Sequence, residues 1–152
     1  KYLRNRGLDE VLKNLEQPFL GICLGMQLMC NHSEEGNTEC LGIFDTDVKL
    51  FQSKEFKVPH MGWNSLNSKL EKNQKSKIKN QQSLILKGLP QQADVYYVHS
   101  YYAEICEDTA AACDYILPFS SVLQKDNFYA TQFHPEKSAG VGEQILKNFI
   151  EL

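Results

Sequence analysis

One short turn constrains this chain more than any other feature: Gly21-Ile22-Cys23-Leu24-Gly25, set between an apolar run and a helical run. Pro18 breaks the chain ahead of Phe19-Leu20-Gly21-Ile22, which is too short for a helix and reads as a buried strand. Met26-Gln27-Leu28-Met29-Cys30 then reads as a helix. A strand that enters a helix through a tight turn is an α/β beginning. It also describes a nucleophile elbow with sulfur in place of oxygen, flanked by small residues because the tip is held under strain. At a helix N-terminus the Cys23 thiol meets a partial positive charge that favours the thiolate. The Leu24 N–H would face the place where an oxyanion forms. On these residues alone, a buried structural cysteine remains the alternative.

A second group strengthens the case. Gln132-Phe133-His134-Pro135-Glu136-Lys137-Ser138 puts an imidazole and a carboxylate two residues apart, just past a predicted strand. Pro135 fixes its own φ and biases His134 toward extended backbone, where residues i and i+2 share a face. Glu136 can then orient the His134 ring while the other ring nitrogen faces a thiol on a neighbouring strand. A hydrogen-bonded surface histidine, or part of a metal site, fits the same pair, although no third ligand is spaced to complete one. Cys23, His134 and Glu136 together suit acyl transfer through a thioester. Spacing does not name the acyl group.

The remaining elements are read from period and breakers. Leu8, Val11, Leu12 and Leu15 make the stripe of an amphipathic helix. Residues 47–51 and 56–58 alternate like a hairpin, and residues 59–64, with Trp63, read as a loop. Residues 95–102, 110–115, 121–123 and 128–133 are rich in strand formers. The last element, 141–152, places Ile145, Leu146, Phe149 and Ile150 on one helical face. Between these, 69–82 is polar and Lys-rich without aromatic interleaving, which reads as a solvated loop.

Composition sets the outer limits. At 152 residues with 42% hydrophobic, the chain suits one domain over 1–152. Sixteen basic residues against 19 acidic ones leave a net charge of −3, no footprint for nucleic acid. The longest apolar run, from Cys23 to Cys30, is interrupted by Gly25 and Gln27 and falls far short of the ~20 residues of a membrane span. Five cysteines (Cys23, Cys30, Cys40, Cys106 and Cys113) form no C-x-x-C pair, so neither zinc nor a disulfide framework is expected. All but Cys23 read as small buried hydrophobes or incidental thiols. No apolar stretch follows Lys1-Tyr2-Leu3-Arg4 in the manner of a signal peptide, and a cytoplasmic domain is expected.

Residues 18–29 (PFLGICLGMQLM) and 132–138 (QFHPEKS) resemble the two signature segments of class I glutamine amidotransferases. Between them, 59–64 (PHMGWN), 96–103 (YYVHSYYA), 33–36 (SEEG) and 41–44 (LGIF) are similar to the branch that serves imidazole glycerol phosphate synthase in histidine biosynthesis. The resemblance implies a flavodoxin-like α/β fold, a mostly parallel sheet flanked by helices. It implies Cys23 as nucleophile, His134 as general base and acid, and Glu136 as the orienting carboxylate. Gln27 and the Ser100 and Tyr101 backbones would hold the substrate L-glutamine, with no cofactor or metal. Ammonia would pass to a (β/α)8 cyclase subunit, with Trp63, Tyr96 and Lys137 at that interface; for the two aromatics a core contact is the alternative, and for Lys137 a plain surface charge. It further implies a strand-helix-strand portion ahead of Lys1, including a Gly-rich loop that supplies part of the oxyanion hole. No Pro-Gly-x-Gly segment occurs here, so the sheet is expected to lack its first strands. A paralogue feeding a surface-sugar synthase, and a non-catalytic binding module, are the rival readings.

Overall fold

The computed structural model describes residues 2–68 and 83–152; the Lys-rich stretch 69–82 lies outside them. Two short helices, α1 (Tyr2–Asn5) and α2 (Leu8–Lys13), precede β1 (Phe19–Ile22) and α3 (Leu24–Leu28). The expected first helix is α2, which starts behind Gly7 at φ 66 and ends at Lys13, before the last residue of the expected stripe, Leu15. Of its apolar stripe, Leu12 and Leu15 pack on the core while Val11 stays exposed. Then come β2 (His32–Ser33), β3 (Thr38–Glu39), β4 (Val48–Leu50), β5 (His60–Asn67) and β6 (Gln92–His99). The chain closes with β7 (Tyr101–Ala103), β8 (Thr109–Tyr115), β9 (Leu117–Lys125), β10 (Phe128–Thr131) and α4 (Ala139–Ile150).

The strands form one mixed sheet in the order β3-β2-β4-β7-β9-β8-β5-β6, with β10 joined to β9 and β1 joined to β10. The expectation of a mostly parallel sheet does not hold among the described residues. Only β1 with β10 and β2 with β4 run parallel. The physical reason is connection length: β8 and β9 are joined through Ile116 alone, β9 and β10 through Asp126-Asn127. Links that short permit only antiparallel neighbours. Two local readings also change. Residues 59–64 are not a loop: β5 starts at His60 and pairs along its whole length with β6, from His60↔His99 to Asn67↔Gln92. Residues 56–58 form no strand, and β4 pairs instead with β7.

Side-chain alternation gives the sheet two covered faces. Tyr129 of β10 joins Tyr97, Phe133 and Ile145 in one cluster, roofed by Phe149 of α4. Its neighbours Phe128 and Ala130 join Met26 and Met29 in the other, over α3. So α3 and α4 sit on opposite faces, and the turns at their N-termini carry the two sequence motifs.

Two glycines fix how closely those helices approach. A Cβ at Gly21 would lie 2.6 Å from Met29 Sδ and 2.9 Å from the Gly25 carbonyl carbon, so β1 and α3 meet only because residue 21 has no side chain. Gly25 is different: a Cβ there meets nothing within 4 Å, so the expected steric need for a small residue applies on one side of the turn only. At Gly142 a Cβ would fall 1.8 Å from the Pro135 carbonyl oxygen. Gly142→Ala is therefore expected to lower unfolding stability by about 3 kcal/mol. Gly140→Ala, in open space on the same helix, should be neutral or slightly stabilising. Urea melts of the two variants check this, and equal midpoints would refute it.

Candidate active site

Cys23 stands between the end of β1 and the start of α3, at φ 50 and ψ −103. A non-glycine residue rarely holds that conformation, and the strain is that of an elbow tip. Two backbone bonds clamp it: Cys23 N–H donates to the Thr131 carbonyl at 2.8 Å, and the Gln27 N–H donates to the Cys23 carbonyl at 3.2 Å. The first bond extends the parallel β1–β10 ladder, in which Ile22 pairs with Thr131. This brings the second motif to the thiol, because His134 follows Thr131 by three residues.

His134 Nδ1 lies 2.7 Å from Glu136 Oε1, the predicted base-and-orienter pair. The turn is held from behind. The His134 N–H donates to the Tyr96 carbonyl at 3.0 Å, the Ser138 hydroxyl donates to the His134 carbonyl at 2.7 Å, and the Tyr96 N–H donates back to Ser138 Oγ at 3.0 Å. Strand β6 thus fixes the backbone that carries the imidazole.

The thiol itself is bonded otherwise than expected. Among the described residues its hydrogen bonds run to the Val98 carbonyl, 3.9 Å away, and from Gln132 Nε2 at 3.7 Å, rather than to His134. Burial raises the Cys23 thiol above its ordinary value; the Leu24 N–H and the Gln132 amide work against that, while Glu136 and Glu35 add to it. The expected lowering at the helix N-terminus is present, through the Leu24 N–H, but burial outweighs it. Helix α3 has five residues, too few for a full macrodipole, and desolvation wins. The Leu24 N–H lies at the sulfur, and its side chain is exposed.

Gln27 is buried, and its Nε2 donates to the Tyr101 carbonyl and to Gln132 Oε1, both at 3.0 Å. The Ser100 carbonyl accepts from the Phe51 N–H at 2.9 Å. Both loop carbonyls therefore serve the protein's own frame. Trp63 is 56% exposed and meets Tyr96 edge-on at 6.1 Å, as its pairing partner across β5 and β6. That exposure removes the core-contact alternative for Trp63. Lys137 is exposed in the 3₁₀ turn Pro135–Lys137 that follows His134.

Sequence reading missed Gln132, which is fully buried and touches the thiol. A polar residue inside a strand-forming run was the available signal. It missed Glu35, whose charge reaches the thiol, and the buried His60 and His99, whose ring nitrogens lie 2.9 Å apart.

The chain matches the glutamine amidotransferase class-I family over residues 5–152. Its fold is shared by a glutamine amidotransferase of Thermotoga maritima, with a TM-score of 0.58 and 17% identity, over 99% of this chain and 54% of that one. The glutaminase domain of Trypanosoma brucei CTPS, solved with bound acivicin, gives 0.58 and 17% over 94% of this chain and 64% of that one. The chain belongs to the class I glutamine amidotransferases. More particularly, it is 55% identical to the imidazole glycerol phosphate synthase subunit HisH of Bacteroides thetaiotaomicron, over 99% of this chain and 72% of that protein. It is 56% identical to the same subunit of Bacteroides fragilis, with the same coverage, and 44% identical to that of Xanthomonas euvesicatoria, over 99% of this chain and 70% of the relative.

Proposed function

We propose that the chain is the glutaminase subunit of an imidazole glycerol phosphate synthase, working in histidine biosynthesis. The observation that supports this is the strained Cys23 elbow at the end of β1, whose ladder partner Thr131 on β10 lies three residues before the His134–Glu136 pair, in a chain 55–56% identical to such subunits.

In the reaction, His134 takes the Cys23 proton and the sulfur attacks the carboxamide carbon of L-glutamine. A C–S bond forms, and the oxyanion is met by the Leu24 N–H. His134 returns the proton to the leaving nitrogen, the C–N bond breaks and ammonia departs. Water, deprotonated by His134, then cleaves the thioester, releasing glutamate and restoring the thiol. Glu136 holds the Nδ1–H so that the other ring nitrogen is free to act. Gln27, Ser100 and Tyr101 frame the glutamine site. Trp63, Tyr96 and Lys137 form the surface through which ammonia passes to a (β/α)8 cyclase subunit.

The resting geometry favours a low activity without that partner. The thiol is raised by burial and holds its proton toward the Val98 carbonyl. Adding the cyclase subunit is expected to raise glutamate release at least about tenfold and to yield imidazole glycerol phosphate when the phosphoribulosyl substrate is supplied. Glutamate and product are measured together in one assay. Glutamate release indifferent to the cyclase, with product formed only from added ammonia, would refute the proposal.

A further inference from the structure

One hydrogen-bonded line runs from β5, through the Tyr101 carbonyl, to the candidate nucleophile, and one fixed acceptor sets its polarity when the imidazoles are neutral. The fixed point is the Tyr101 carbonyl, which can only accept. It accepts from two sides, from Gln27 Nε2 at 3.0 Å and from His99 Nδ1 at 2.7 Å.

Toward the thiol, Gln27 must present its NH₂, so Gln132 must present Oε1 to it at 3.0 Å. The Gln132 NH₂ is then left to face Cys23 Sγ at 3.7 Å. Away from the thiol, His99 donates through Nδ1, so as a neutral ring it accepts at Nε2. His60 therefore donates through Nδ1, at 2.9 Å, and accepts at its own Nε2 from Asn64 Nδ2 at 3.1 Å. Asn64 cannot reverse freely, because its Oδ1 accepts the Ser65 N–H at 2.7 Å and its NH₂ also serves the Asp114 carbonyl at 3.2 Å.

We propose that His60 and His99 are positioning residues for glutamine hydrolysis: with Asn64 they hold the Tyr101 carbonyl, and through Gln27 and Gln132 they aim an N–H at the Cys23 sulfur. The role rests on the glutaminase reading above. A protonated His99 would place two donors nose to nose with the His60 Nδ1–H, so the line works only with both rings neutral. The surroundings enforce this. His60 is stacked on Tyr97 at 4.8 Å and on Tyr115 at 4.1 Å, and Phe51 meets both imidazoles edge-on. The charged or titratable groups that bear on His99 are His60 and His134, which both disfavour its cation. Burial pushes both rings down to about 4.

Two measurements on the full chain test the proposal. First, ¹⁵N-histidine NMR should show His60 and His99 as Nδ1–H tautomers, without titration near pH 6.5; either ring in the Nε2–H form, or titrating there, overturns it. Second, His99→Leu in complex with the cyclase should lower kcat for glutamine about tenfold or more with a smaller change in KM, and move Cys23 alkylation by iodoacetamide to higher pH. His99→Asn keeps a donor where Nδ1 stood and should stay within about threefold of the parent. If His99→Leu does not fold, the tautomer measurement decides. An active parent whose His99→Leu variant keeps both kcat and its alkylation profile refutes the relay. A parent complex that releases no glutamate refutes the glutaminase reading instead.

Discussion

Replacing Cys23 by serine is expected to lower kcat for glutamine hydrolysis by about 10⁴-fold or more while leaving the fold intact. The substitution is nearly isosteric, and the clamps on residue 23, the Thr131 carbonyl and the Gln27 N–H, are backbone bonds that serine keeps. What is lost is the sulfur nucleophile: a hydroxyl is far less acidic, and the site offers only weak help to its anion. An electrophilic glutamine analogue should alkylate Cys23 in the parent chain, be blocked by excess glutamine, and leave the variant unlabelled. The other thiols make poor competitors. Burial raises Cys30, Cys40, Cys106 and Cys113, the last to about 12. Peptide mass spectrometry locates the adduct. A serine variant retaining more than about a hundredth of the parent rate would overturn the assignment.

His134→Ala should cost about 10³-fold at pH 7 and change the shape of the pH profile as well as its height. With the base gone, only thiolate formed by the solvent can attack. The Cys23 thiol lies above its ordinary value of 9.0, so kcat/KM of the variant should climb about tenfold per pH unit through pH 8. The parent should level off earlier, because His134 supplies the base. Recovery at high pH stays partial, since proton return to the departing ammonia is also lost. Profiles from pH 6 to 10 separate the cases; parallel curves for parent and variant would mean that His134 does not handle the Cys23 proton.

Local features were legible in the sequence, and distant pairings were not. The run Phe19–Ile22 behind Pro18, the elbow and the closing helix could be read because a breaker, a turn and a helical stripe are properties of neighbours. The His134–Glu136 contact could be read for the same reason, being two residues wide. Strand β5 was hidden because Pro59 and Gly62 imitate a loop, and its strand character is conferred by eight pairings with β6. The real partner of β4 lies some fifty residues on, in β7, where no local rule points. Gln132, His60 and His99 carry their meaning in what they touch across the sheet. The elevation of the Cys23 thiol follows from burial, which no motif encodes.

The ladder between β1 and β10 also governs when the site comes into being. Cys23 and Gln132 are 109 residues apart, so the thiol is synthesised long before the strand that aligns it. Pairing so remote closes late and slowly, after the hairpins β8–β9 and β9–β10 have formed a surface for β1 to join. A nascent chain that has reached only β9 carries Cys23, the proposed nucleophile, but neither the His134 imidazole nor Gln132. On the proposed roles of Cys23 and His134, ammonia release is tied to completion of the sheet, and a half-made chain on the ribosome would not waste glutamine.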